Sequence, residues 1–162
     1  MKIKQFQRSL ILVLLFFSLI ANGQELWRKL DTGKNTLQKK EIRSFKNLPA
    51  EYTRYQFALD QFESSANAQF KASSNIIYLP NSAGSLDAFK VKLSSNFENS
   101  LAAKYPTIKS YTGIGITNPD ALAKISIGTD GFHAVIFTAN GKTIYIDPYS
   151  LDNQQYIVYK TS

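Results

Sequence analysis

His133 is the one histidine of the chain, and cysteine is absent. Those two facts bound the chemistry. A zinc site of the HExxH kind needs two histidines one helical turn apart, and this chain cannot supply them. Thiolate nucleophiles and Cys-held metals are excluded by composition. As a general base, His133 needs a nucleophile and an orienting acid within reach, and Ser and Asp are too frequent for the sequence to single either out. Placed beside Gly131 and Phe132 at the start of an apolar run, it reads as a partly buried, hydrogen-bonded histidine.

Other chemistry fails on spacing. Gly113-Ile114-Gly115 lacks the third glycine and the following helix that a dinucleotide loop requires. Asp120, Asp130, Asp147 and Asp152 recur near turns, without the alternating ligand spacing of a calcium loop; Asp at a turn ordinarily bonds nearby backbone amides. Nine Tyr and eleven Phe predict cross-strand pairs in the core, although exposed Tyr can also stack on sugars or peptides. No cofactor is expected in this chain.

The elements that position these residues are short. After a break at Leu48-Pro49, Tyr52 to Leu59 alternates as a strand, with Tyr55, Phe57 and Leu59 on one side. Asp60 to Lys71 has helical spacing of Phe62, Ala66 and Phe70, with Asp60 as N-cap. Asn75 to Leu79 and Leu86 to Leu93 form a hairpin about the turn at Asn81 to Gly84, with Phe89, Val91 and Leu93 on one face. Asn96 to Tyr105, halted before Pro106, is a second helix. Strands follow at Ile108 to Ile116, Ala123 to Ile127, Phe132 to Thr138, Thr143 to Ile146 and Tyr156 to Tyr159. Gly113 and Gly115 suit a bulge or a bend. Phe132 to Thr138 is apolar on both faces and is expected to be central, and Asn140-Gly141 is the strongest hairpin signal. The fold class is α+β, mostly antiparallel β-sheet of seven to eight short strands with two short helices, preceded by a signal peptide.

The N-terminus has the layout of that signal: Lys2, Lys4 and Arg8, an apolar run from Leu10 to Ile20, then Ala21-Asn22-Gly23, with cleavage expected between Gly23 and Gln24. The organisation expected is a signal peptide over 1–23, a polar N-terminal arm over 24–47 from which Trp27 and Leu30 dock on the core, and one α+β domain over 48–162. The protein is then exported to the periplasm, cell surface or medium, with no membrane association after signal removal. The formal charge of +7 includes the leader's own cations, and the modest remainder does not point to nucleic acid as a partner.

Three runs carry a resemblance: LPNSAGSLDAFKV, LAAKYPTIKSYTGIGITNPDALAKISIGTDGFHAVIF and TIYIDPYSLDNQQYIVYK. Together with the opening QELWRK, they resemble the N-terminal pro-region of secreted reprolysin-like zinc metallopeptidases of Bacteroidetes-type bacteria. The likeness covers most of Gln24 to Lys160 and is most specific at KYPxIxSYxGxGI, GFHA and YIDPY, which here are Tyr105, Pro106, Tyr111, Gly113, Gly115, then Gly131, Phe132, His133, then Tyr145, Asp147, Pro148 and Tyr149. In such precursors a catalytic domain carrying HExxHxxGxxH and zinc follows. This chain ends at Ser162, about where the approach to that domain would begin, so no catalytic or metal residue can be carried over. The resemblance implies a non-enzymatic propeptide, a folding assistant and latency domain whose partner is the cognate metallopeptidase domain, with this chain a fragment, a truncated precursor or a free-standing relative. Related animal pro-regions block zinc with a Cys thiolate. Without one, latency must be steric or come from an oxygen ligand such as the Asp147 carboxylate. The alternative is a secreted or cell-surface binding module for glycan or peptide; a hydrolase built on His133 ranks below both.

Overall fold

A computed structural model describes residues 26–31, 37–46, 48–64, 75–94, 104–105 and 107–161. Nine strands form one sheet: β1 (Trp27–Lys29), β2 (Thr53–Phe57), β3 (Ile76–Pro80), β4 (Leu86–Leu93), β5 (Lys109–Gly115), β6 (Leu122–Gly128), β7 (Gly131–Phe137), β8 (Thr143–Pro148) and β9 (Gln155–Lys160). Their order is β1-β2-β9-β8-β7-β6-β5-β4-β3, so β7 is the middle strand, as its two apolar faces predict. Every neighbouring pair is antiparallel. From β3 to β9 successive strands are sheet neighbours, an up-and-down meander, and β9 then lies against β2.

The sheet curls. Laid flat, nine strands at ~4.8 Å spacing would hold the outer strands almost 40 Å apart. Instead one buried cluster takes Trp27 from β1, Tyr55 and Phe57 from β2, Ile77 and Leu79 from β3, and residues of every strand between. The β3–β4 turn reaches β1 closely enough that a Cβ added at Gly84 would lie 2.7 Å from Lys29 Nζ. The result is a near-barrel with alternate residues inward: Ala123, Ile125 and Ile127 on β6, Phe132, Ala134 and Ile136 on β7, Ile144 and Ile146 on β8. A helix beginning at residue 59 is described through residue 64. Its Phe62 amide bonds the Ala58 carbonyl at 2.9 Å, and its ring closes one end of the interior at 5.6 Å from Phe57 and 5.7 Å from Phe132.

Eight strands fall where alternation predicts them. The ninth, β1, belongs to the segment expected to be a polar arm. Trp27 is 2 % exposed, and β1 pairs with β2 in register Trp27↔Phe57. Of the two expected helices, 65–71 of the first and 96–103 of the second lie outside the described residues. The first helix starts one residue before Asp60, which therefore sits in its first turn rather than at its cap, and only Lys104 of the second expected helix is described as helical. A 3₁₀ turn at Lys39–Glu41 adds one short helical element. No bulge occurs at Gly113. Pairing runs unbroken through it to Val91 on one side and Ala123 on the other. The missing side chain serves close approach instead, since a Cβ there would sit 3.0 Å from Val91 Cγ1 and 3.3 Å from Phe89 Cβ. Leu93, expected to face inward with Phe89 and Val91, is exposed, because β3 begins opposite Lys90 and leaves it without a β3 residue at its side.

A second layer covers part of the outer face. Residues 42–45 run beside the β8–β9 connection, with an Ile42↔Ser150 bridge. The Arg43 amide bonds the Tyr149 carbonyl at 2.9 Å. Phe45 and Tyr52 both pack on Tyr149 with ring centroids 6.0 Å away. Under this layer the outward-facing Ile157 is completely buried.

Candidate functional site

Where the second layer meets the sheet, His133, Asp130, Asp147 and Tyr159 form a connected group of polar side chains. The β6–β7 turn, Thr129–Asp130, joins the Gly128↔Gly131 pair through two residues, which sets the Asp130 carboxylate beside the outward side chain of His133. Antiparallel pairing of β7 with β8 brings Asp147 to the other side of the same ring. His133 Nδ1 lies 2.8 Å from Asp147 Oδ1, and Nε2 lies 3.2 Å from Asp130 Oδ2. Tyr159 of β9 donates its hydroxyl to the second Asp147 oxygen at 2.8 Å. Its ring stacks on Tyr145 with centroids 5.3 Å apart.

Ionised carboxylates only accept hydrogen bonds, so a neutral imidazole satisfies one of these partners and an imidazolium satisfies both. The Asp147 hydrogen bond, helped by the charges of Asp147 and Asp130, raises the His133 pKa above its usual value against the opposing effect of burial. Burial and the Asp147 hydrogen bond likewise push the Tyr159 phenol up. Tyr156 sits on the inner face and accepts from the Phe132 amide at 3.3 Å; its burial raises its pKa to about 12.

Arg43 locks the periphery. Its guanidinium donates to the Ser150 carbonyl at 3.1 Å, to the Asp130 carbonyl at 2.7 Å and to Asn153 Oδ1. Asn153 holds a left-handed conformation at φ 58°, common for Asn but costly for most other residues. Gly131 is required twice over. Its φ is +110°, and a Cβ there would lie 2.9 Å from Asn153 Oδ1 and 3.1 Å from Pro148 Cγ.

Two adjoining depressions share His133 and Asp147. One, of about 450 Å³, is walled by Arg43, Phe45, Pro49, Leu151 and Tyr159. The other, of about 220 Å³, is floored by Ser110, Thr112 and Ser126. A larger depression of about 660 Å³ lies at 49–53, Ser82 and 158–161. The charged residues that line it are Glu51 and Lys160. Ser126 is the register partner of His133, an arrangement that invites comparison with a nucleophile and its base. The ring nitrogen that would have to serve the serine, Nε2, is taken by Asp130.

The residues singled out by sequence divide into groups. Gly131, Phe132, His133, Asp147 and Pro148 meet, so GFHA and YIDPY form one contact. Tyr145 joins them through Tyr159, and buried Tyr149 through Phe45 and Tyr52. Tyr111, Gly113 and Gly115 are buried on β5 within the sheet; at Gly115 a Cβ would collide with the Asn118 carbonyl oxygen at 1.9 Å. Tyr105 is exposed, with Lys104 Nζ 5.6 Å from its ring centre. Gly23, Gln24 and Pro106 lie outside the described residues. The sequence reading did not foresee the roles of Arg43, Asn153 and Tyr159. Asp130 was noted only as a turn residue.

Among the described residues, no group of three or more His, Cys, Asp or Glu side chains is arranged to hold a metal ion, and no helix is long and apolar enough to cross a membrane. No protein-family model, curated protein or solved structure matches the chain.

Proposed function

We propose that this chain is the non-catalytic pro-domain of an exported zinc metallopeptidase, acting on its partner domain by assisting folding and covering it. The observation that carries this reading is the hydrogen bond between His133 and Asp147. It joins two of the three motifs at which the resemblance is most specific, GFHA and YIDPY, and the third, KYPxIxSYxGxGI, reaches β5, two strands away in the same sheet. Latency that uses Asp147 as an oxygen ligand is disfavoured, because both of its oxygens are already engaged. Steric cover is the mechanism the geometry supports.

The test is to add the chain in trans to a metallopeptidase domain carrying HExxHxxGxxH encoded beside it or in continuation of its frame. Slower peptide hydrolysis, or a higher yield of refolded peptidase, is the expected result; no change in either defeats the reading. The stacked Tyr145–Tyr159 pair beside the depression at His133 favours a second reading, a binding module for glycan. Binding on a glycan array that is lost in Tyr145→Ala would put it first.

A further inference from the structure

Among the described residues, those that cover the outer face of the sheet do so over only part of its width. Above β8 and β9 the chain's own residues 42–46 and 48–52 form a layer over the buried Ile157. Across β3 to β7 the outward row runs Ile76, Lys90, Ile114, Leu122, Phe137, each the register partner of the next. Ile114 is 59 % exposed, Phe137 46 %, Ile76 41 % and Leu122 37 %. The adjoining row brings Lys92 and Lys124 alongside, linked through Thr112, to whose hydroxyl Lys124 Nζ donates at 3.0 Å. Among the described residues, no Asp or Glu occupies an outward position on these five strands. Ile114, Leu122 and Phe137 thus adjoin as an exposed apolar line flanked by lysines, the kind of surface that marks an interaction site.

Three occupants can be weighed. A second copy of the chain would set Lys90, Lys92 and Lys124 against the same lysines, and like-charge juxtaposition opposes it. An anionic bilayer could accept the aliphatic side chains, but Lys90 stands inside the row between Ile76 and Ile114, so immersing the row would carry an ammonium group below the headgroups. A protein segment can place a carboxylate at that point and cover the flanking carbons as well. Outward side chains in the row recur at the strand spacing, ~4.8 Å. This approximates the roughly 5–6 Å between neighbours on one face of a helix, whereas alternate residues of a strand lie ~7 Å apart. We propose that the outward face of β3 to β7 docks an acidic amphipathic helix of a partner protein, its apolar seam along Ile114, Leu122 and Phe137 and its carboxylates on Lys90, Lys92 and Lys124. The row is about 19 Å long, which a helix of about 13 residues spans.

This surface does not depend on the pro-domain reading. The probe is a Leu/Glu amphipathic helical peptide about four turns long, titrated into the full chain beside an otherwise identical peptide with Lys in place of Glu. The acidic peptide is expected to bind, more weakly as salt is raised. Its affinity should fall at least tenfold in Lys90→Glu/Lys124→Glu and in Ile114→Ser/Phe137→Ser. Far-UV circular dichroism checks that these surface variants stay folded. If they do not, protection of Lys90 and Lys124 from acetylation by bound peptide in the unaltered chain gives the answer. The proposal is overturned if neither peptide binds, if both bind equally, if phosphatidylglycerol vesicles bind and compete the peptide off, or if the chain self-associates through Phe137. Peptide binding without any effect on a peptidase would leave the surface standing and remove only the pro-domain reading.

Discussion

Replacing Trp27 by Ala tests whether the start of the chain is part of the fold or an ornament on it. Trp27 is the only tryptophan. It stacks on Phe57 with centroids 3.9 Å apart and meets Tyr55, Phe132 and Tyr156 edge-on at 5.6 to 6.2 Å. Burying about 200 Å² of ring at about 25 cal/mol per Å² is worth about 5 kcal/mol, and the aromatic contacts add about 1 kcal/mol. Relaxation of the surroundings returns part of this, so the expected loss is about 4 kcal/mol, within the range for large aromatic deletions. Against a total of about 5–15 kcal/mol for an ordinary domain, that is a large fraction. Removing the sole indole also removes its fluorescence, so urea unfolding must be followed by far-UV circular dichroism. A cycle with Phe57→Leu should return a coupling of about 1 kcal/mol. If β1 only docks on a sheet that is stable without it, the strand can detach and the loss is capped at its docking energy. A loss below about 1 kcal/mol would refute the reasoning.

Two further outcomes follow from the polar network. Because the His133 pKa is raised in the folded chain, its stabilisation is fully present below the unfolded value of about 6.5 and is lost as pH rises through the higher folded value. Unfolding midpoints should therefore fall more steeply over that window in the unaltered chain than in His133→Gln, and the reverse slope would show that the ring is held neutral. Gly131→Ala adds a Cβ against Asn153 and Pro148 at φ +110°, whereas Gly141→Ala meets nothing within 4 Å at φ +76°. The first should cost about 2–4 kcal/mol and the second about 1 kcal/mol in thermal or urea unfolding; equal losses would mean that crowding at Gly131 is relieved without strain.

Most of the sheet was legible because period-two alternation survives wherever one face is buried and the other wet. β1 was not, because three residues with a single buried side chain carry no period. The helix near Asp60 was found, but its start was misplaced because the Ala58 carbonyl, rather than a polar side chain, begins its ladder. At Gly113 the residue type was informative and the cause was not, since close approach and a bulge both ask for glycine. The pairing of His133 with Asp147 hung on one residue of a turn. Counted outward from a two-residue Asn140-Gly141 turn, His133 would face Pro148. The turn actually closes from Thr138 to Lys142, with the Gly141 amide on the Thr138 carbonyl at 3.0 Å and Gly141 alone of its residues at positive φ. That longer loop shifts the register by one and puts Asp147 opposite the histidine. Arg43 reaches Asp130 across 87 positions of sequence, and no local pattern announces such a contact.

The position of β9 governs the order in which the molecule can be completed. The β3–β4 hairpin and the run from β5 to β8 can zip up locally as each turn forms, while β1 and β2, though made first, join the rest of the sheet only through β9. Tyr55 waits for Tyr156 and Arg54 for Ile157, so the N-terminal pair stays open until the last strand arrives. Such long-range closure is slow compared with hairpin formation. A chain emerging from the ribosome would therefore keep its first two strands without a seat in the sheet until residues 155–160 are available to pair with them.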